Sequence, residues 1–318
     1  MKTLTRMLAL LLFAQVVLAQ EVNDGNELLN RPAERTYDII LDSGYLKVGV
    51  YENFPPYSYE VDGEPRGIDV ELGRRIAEEM GVEFKGNWIT PDENLGDDLR
   101  NHVWKGHYLA KQRLADVMLR VPYDKTYAYM QDSTGEYINE QVVLFGPYQQ
   151  ETWQIAYNPE KLESVETVAV FQYNPIGVEI DTLPDFYLTS AFGGRMRENV
   201  RHFHKVAEAF EAMRRGEVSA VMGMRSEIDH ELAKPENDGF KSAGNGFPGI
   251  GKQVWDVGMA IKHTHRQLGY ALEAIVDRLV KTGEMNELMV EQNLRYSVPG
   301  YYRAFLDEQA IARAEGEL

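Results

Sequence analysis

Residues 45 to 87, YLKVGVYENFPPYSYEVDGEPRGIDVELGRRIAEEMGVEFKGN, constrain the fold more than any other stretch of the chain. Leu46, Val48 and Val50 alternate as the inward positions of a half-buried strand. Pro55 and Pro56 stop that strand and hold Phe54, Tyr57 and Tyr59 on a stiff loop. Asp69 is placed to cap a helix whose apolar residues Val70, Leu72, Ile76, Ala77 and Met80 share one face, and Gly81 ends it. A second strand begins at Val82 to Phe84. The segment is thus a βαβ unit with an aromatic loop at the carboxyl end of its first strand, where open α/β sheets bind ligands.

The same alternation continues along the chain. Tyr37 to Ser43 is expected as a short helix ended by Gly44. Asp97 to Lys105 is a second helix, with Leu99, Val103 and Trp104 apolar. Ala115 to Val121 and Gln141 to Phe145 read as strands, as do Thr167 to Phe171, Asn199 to Phe203, Ser219 to Met224 and Val254 to Ile261. Val206 to Arg215 places Ala209, Phe210 and Met213 on the inward face of a helix. Asn237 to Gly251 is glycine-rich loop. Gln267 to Val280 and Glu284 to Gln292 are helices, and Tyr301 to Glu317 is a further helical tail.

The opening βαβ unit, together with the LMVEQNLRYSVP ending, resembles the family 3 extracytoplasmic solute-binding proteins, the polar amino-acid type that feeds ABC importers. The resemblance extends to about Pro299. It implies an α/β, two-lobed periplasmic-binding-protein type II fold (a Venus-flytrap), each lobe a mixed sheet flanked by helices. Residues 37–139 plus 255–299 would form lobe I and 140–254 lobe II, with residues 1–19 a signal peptide, 20–36 a polar leader and 300–318 the helical tail. Two lobes joined by two crossing strands are built to hinge.

Composition agrees with export. Lys2 and Arg6 precede an apolar run, Met7 to Val17, and Val17 and Ala19 suit cleavage before Gln20. That run is too short for a membrane span. The chain has no cysteine, which excludes both disulfides and a lipid-modified cysteine anchor, so a periplasmic protein is expected. A net charge of −17 repels nucleic acid and anionic lipid. A monomer is expected.

The resemblance also assigns ligand contacts. Tyr57 falls where the family flanks its ligand with a ring, with Tyr59 and Trp88 as further aromatic candidates. An arginine normally clamps the ligand carboxylate after the next buried strand. Here ADVMLRVPYDKTYAY offers Arg120, Tyr123 and Lys125 instead. Lysine does not reproduce a bidentate fork. In the second half, Gln172 and Asn174 lie near the family's Ser/Thr contact, with Pro175 expected in the first turn of a helix. The aspartate that usually holds an ammonium is replaced by Met224, followed by Arg225, Ser226 and Glu227. With Arg120 and Arg225 both facing the cleft, a carboxylate or other small anion is the expected ligand.

Other signals carry less. GFPGIGK, at 246–252, has phosphate-loop spacing but Gln253 where Ser or Thr is required, so it reads as a flexible loop. His102 with His107, His202 with His204 and His263 with His265 lack a metal-ligand pattern, and no metal or cofactor is expected. Two alternatives follow from resemblance. VPYDKTYAYM, the Trp88 region and YSVP are similar to the homologues that accompany periplasmic quinoprotein alcohol dehydrogenases as accessory proteins. A few dehydratases of prephenate-like substrates also share the fold. They require a general acid or base, for which Glu52 and Glu227 are the candidates. A binding protein rather than an enzyme is the expectation.

Overall fold

A computed structural model of the protein describes residues 34–244 and 246–308. The expected signal peptide, most of the polar leader and tail residues 309–318 lie outside these. Helix α1 (Tyr37–Ser43) begins with the Thr36 side chain accepting the Ile39 N–H, and it ends at Gly44, whose φ of 72° is left-handed. Strand β1 (Tyr45–Tyr51) buries Leu46, Val48 and Val50 completely or nearly so. Each such side chain is worth about 1.5–3 kcal/mol of transfer free energy.

A hairpin, β2 (Tyr59–Val61) with β3 (Glu64–Arg66), follows the aromatic loop. Helix α2 (Ile68–Glu79) then returns the chain to β4 (Glu83–Ile89), which pairs parallel to β1. Gly67, not Asp69, stands at the helix N-cap, with φ of 106°. A Cβ there would sit 2.4 Å from the Tyr57 carbonyl oxygen. Only glycine lets the helix start so close to the loop that the Ile68 and Asp69 N–H groups bond the Pro56 and Tyr57 carbonyls. Asp69 is buried and free for another task.

Helix α3 (Leu95–Leu99) is capped by Asn94 and gives way to a π-helical turn, Arg100–Trp104, so the expected Asp97–Lys105 helix is two pieces. Next come β5 (Val117–Pro122), the short α4 (Lys125–Ala128) and β6 (Val142–Tyr157). The expected strand at 167–171 is a 3-10 turn, Val168–Gln172. The strand comes later, as β7 (Ile176–Glu179), where a helix start at Pro175 was expected. Helix α5 (Leu183–Gly194) is kinked at Ala191–Gly193. It is followed by β8 (Val200–Phe203), α6 (Val206–Arg214), β9 (Ala220–Met224), α7 (Arg225–Leu232) and the brief β10 (Lys241–Ser242). The remaining elements are β11 (Val254–Lys262), α8 (Arg266–Thr282) and α9 (Glu284–Glu291). The loop at 246–252 is not loose: Phe247 and Ile250 are buried in the core beside it.

The strands run in the order β4-β1-β5-β11-β6-β9-β7-β8, with β10 on β6. β6 is the joint. Its residues 142–152 pair antiparallel with β11, and residues 153–157 pair antiparallel with β9. One core packs β1, α2, α8 and α9 together, and another packs β7, β9, α5 and the 3-10 turn.

The strands near the joint are irregular at one level. Leu119 and Arg120 of β5 stand opposite Met259 alone, and Gly146 to Tyr148 of β6 stand opposite Gly258. Such bulges bend a strand and re-aim its side chains. Arg120 takes a left-handed φ of 59°, a conformation that a non-glycine residue holds only when its surroundings fix it.

Candidate functional site

The bulged joint carries a closed polar cluster. Arg120 donates from Nε to Asp69 Oδ2 at 2.5 Å and from Nη2 to Asp69 Oδ1 at 2.8 Å, a bidentate pair in which both side chains are buried. Its Nη2 also reaches Gln149 Oε1 at 3.1 Å, and its guanidinium lies 3.6 Å from the Tyr57 ring centroid. Tyr148 donates its hydroxyl to Asp69 Oδ1 and accepts the Arg120 N–H. Burial opposes the Arg120 charge, but the Asp69 carboxylate outweighs it and holds the group firmly protonated.

A second carboxylate, Glu151, adjoins this cluster with no exposure. Its Oε2 accepts from the Tyr57 hydroxyl (3.2 Å), Gln149 Nε2 (3.0 Å) and Ser226 Oγ (2.6 Å), and its Oε1 accepts the Thr152 N–H. Burial raises the Tyr57 hydroxyl well above its ordinary range, so it remains a donor. The cluster ties β6 to the aromatic loop and to α7.

Beside it lies a cavity of about 460 Å³. One wall comes from the end of β1, the aromatic loop and α3. The other comes from the end of β7, the start of α6 and α7. Five carboxylates line it: Glu52 and Asp98 on the first wall, and Glu179, Glu227 and Glu231 on the second. Facing them are one lysine, Lys205, and His204. Apolar contact is supplied by Phe54, Pro55, Pro91 and Val206, with the ring of Tyr51 set edge-on to Phe54 at 6.2 Å.

Several of these carboxylates are already occupied. Asp98 accepts the Tyr51 hydroxyl at 2.7 Å and the Asp92 N–H at 2.7 Å. Glu231 pairs with Lys234, and Glu52 accepts the Thr90 hydroxyl. Glu227 is only 7% exposed. Its Oε2 accepts the Met224 N–H, the cap of α7, and its Oε1 has no hydrogen-bond partner among the described residues. Burial, and then the Glu179 charge, raise the Glu227 carboxyl well above its usual range. Burial raises Glu179 in the same direction. Lys205 spans the mouth, donating from Nζ to the Asn53 carbonyl at 3.1 Å.

None of the ten residues expected from the sequence lines this cavity. Tyr57 and Arg120 meet each other, and Ser226 joins them through Glu151. Tyr59 packs its ring 6.2 Å from His230 of α7, another contact between the two sides. Trp88 packs on the first core. Tyr123 sits edge-on to Tyr301 of the tail, and Lys125 is exposed at the start of α4. Gln172 and Asn174 belong to the turn before β7: the Gln172 carbonyl accepts from Asn199, and the Asn174 amide donates to the Val170 carbonyl. Arg225 is not on the cavity lining. It donates to Ser297 Oγ at 2.7 Å and to the Gln150 carbonyl at 3.0 Å, so the expected pair of cleft-facing guanidiniums does not form. Both acids named from the sequence as proton-transfer candidates, Glu52 and Glu227, do reach the cavity. The sequence reading missed Glu179, Asp98 and Lys205. Glu179 escaped because the strand that ends at it was placed eight residues too early. Among the described residues no group of three or more His, Cys, Asp or Glu is arranged to hold a metal ion, and no helix is long and apolar enough to cross a membrane.

The profile of the bacterial extracellular solute-binding proteins, family 3, matches residues 46–291. The cyclohexadienyl dehydratase of Pseudomonas aeruginosa is 28% identical over 94 residues, so the chain spans only 35% of that relative's length and the alignment takes in 28% of this chain. Among solved structures, an ancestral cationic amino acid solute-binding protein superposes with a TM-score of 0.61 at 16% identity, over 79% of this chain and 96% of that one. An amino acid ABC transporter substrate-binding protein from Streptococcus pneumoniae, bound to L-arginine, gives 0.56 at 18% identity, over 80% and 97%. These likenesses are of fold: the mixed α/β periplasmic-binding-protein architecture.

Proposed function

Because the chain belongs to the bacterial extracellular solute-binding proteins of family 3, we propose that it captures a small polar solute between two lobes in the periplasm and delivers it to an ABC importer of the amino-acid type. The observation that carries this reading is the cavity of about 460 Å³ with walls from both halves, within the size range of small-molecule sites. Lobe I in this reading is the half holding β1, β4 and β5, and lobe II the half holding β7, β8 and β9. In this reading the chain first crosses between the lobes along β6, which changes partner between Thr152 and Trp153. A solute touching both walls favours closure by its extra affinity for the closed state.

The finer expectation of a carboxylate-bearing ligand required two guanidiniums free to meet it. Arg120 is held by Asp69 and Arg225 by the segment around Ser297, so that expectation loses its basis. The same argument weighs against a dehydratase acting on a carboxylate-bearing ring: Glu52 and Glu227 line the cavity, but among the described residues no guanidinium lines it to hold the substrate's carboxylate. A test of the receptor reading is a thermal-shift screen of the purified protein against amines, amino acids and organic acids. A ligand at one hundred times its Kd adds about 2.7 kcal/mol to stability. Silence across the whole panel would end this reading.

The accessory reading retains one supporting observation. Tyr129, Met130, Tyr137 and Ile138 are exposed on a single hairpin that also carries Asp132 and Glu136. Sedimentation of the protein with a purified quinoprotein dehydrogenase, before and after Tyr129→Ser with Tyr137→Ser, tests it. Complex formation lost in the variant is the outcome it requires.

A further inference from the structure

From the residues around the cavity we infer that the solute is an organic cation without a carboxylate, of the aliphatic amine or diamine class. This inference rests on the receptor reading above and narrows it. It begins with what an α-amino acid would need: a fixed cation for its carboxylate, ideally a bidentate guanidinium. Among the described residues no guanidinium lines the cavity: Arg120 is spent on Asp69 and Tyr57, and Arg225 donates to Ser297 and the Gln150 carbonyl. Among the described residues Lys205 is the one lysine or arginine that lines the space. Its ammonium lies at the mouth, on the Asn53 carbonyl.

What the cavity offers is negative. Glu227, 7% exposed, spends Oε2 on the Met224 N–H and lines the cavity with the rest of its carboxyl group. Burial and the nearby Glu179 make a charge on Glu227 costly in spite of Arg120, and an arriving ammonium offsets that cost. Glu179, on the same wall, increases the attraction. Glu52 and Asp98 lie on the opposite wall, so carboxyl groups stand at both sides of the gap. Between them Phe54, Pro91 and Val206 form an apolar middle suited to methylene groups. Two charged sides and an apolar middle match an α,ω-diamine in particular.

The inner cluster provides an internal precedent. Tyr57, which the family resemblance offers to a ligand, is covered by the chain's own Arg120, so the deep part of the crevice already holds a cation. The remaining space repeats that chemistry with the cation left out.

Matched pairs that differ only by the α-carboxylate test the inference directly. Isothermal titration of the full chain at pH 7.5 would compare putrescine with ornithine, cadaverine with lysine, and agmatine with arginine. The amine of each pair should bind at least tenfold more tightly, and Glu227→Gln should weaken the amine by tenfold or more. Tighter binding of the amino acids, or binding of succinate or glutamate alone, would overturn the inference while leaving the receptor intact. If no member of any pair binds and the wider solute panel also fails, both readings fall.

Discussion

The two ends of the crevice make opposite use of the same residue type. At the inner end Asp69 and Glu151 are buried with every needed donor in place: a bidentate guanidinium and a tyrosine for the first, two hydroxyls and two N–H groups for the second. At the outer end Glu227 is nearly as buried, yet it accepts the Met224 N–H through Oε2 and lines the cavity. A buried network satisfied from within makes its surroundings rigid and specific, whereas a carboxyl group on a cavity wall can still take a partner from the cavity. The lesson is that a carboxylate's pairings, and not its charge alone, decide whether it is free to take a further partner. Glu227 is the boundary, since Arg120 and Glu151 of the cluster and Glu179 of the cavity all act on its charge.

The largest effect is expected from breaking the inner end. Arg120→Ala should cost about 3–5 kcal/mol, because Asp69 is left buried and uncompensated. Asp69→Asn with Arg120→Met should recover most of that loss, since removing both charges leaves no stranded one. Urea denaturation midpoints of the two variants measure the difference. Amine affinity should survive in the double variant. If Arg120→Ala costs under 1 kcal/mol and abolishes solute binding, Arg120 belongs to the receptacle and the comparison is wrong.

The sequence made the first half of the fold plain because its patterns are local. Leu46, Val48 and Val50 alternate, α2 shows its apolar face, and Gly44 and Gly81 end helices where expected. The cluster was hidden because it depends on pairings across distant strands. Asp69, on α2, meets Arg120 fifty-one residues away, and Arg120 stands in the bulge of β5. Gly146-Pro147 inside β6 and Gly258 inside β11 were the available signals. Proline and glycine within a strand mark such irregularities, and a Cβ on Gly258 would lie 2.7 Å from the Phe145 oxygen. The reading of Arg225 failed for a similar reason: the segment after α9 folds back over β6, and the Ser297 carbonyl accepts the Gln150 N–H. No local pattern announces that contact.

Glu227→Gln sharpens the comparison through pH. Groups facing Glu227 are Glu179 from β7, Glu151 from β6 and Arg120 from β5, with the Met224 N–H beneath it. Its carboxyl is raised in the folded protein, so the folded state holds that proton more tightly than the unfolded state does. The contribution is therefore complete below the unfolded value of 4.5 and is lost as pH climbs toward the raised one. Wild type and Glu227→Gln should thus be close in stability at pH 4.5. The variant should become the more stable by roughly 1–3 kcal/mol as pH rises and wild type is left with a buried charge. Chemical denaturation of both proteins between pH 4.5 and 8.5 reads this directly. Parallel curves would mean that Glu227 is already compensated, like the carboxylates at the inner end.

The smallest effect, and the one that separates attraction from latching, concerns Lys205. Its ammonium is exposed and its bond to the Asn53 carbonyl crosses the mouth, so Lys205→Ala should alter stability by no more than about 0.5 kcal/mol. Its charge has the same sign as the inferred solute, and at a wet mouth such repulsion is worth about 0.5–1 kcal/mol. Removing it should therefore tighten amine binding about twofold to fivefold, with the gain shrinking as salt is added. Weaker binding in the variant would give the lysine a different role, in which its contact with Asn53 holds the two walls together around the solute. Titration at 20 mM and 200 mM salt distinguishes the two, because a latch made by one neutral carbonyl loses little to screening while a charge repulsion loses most of its strength.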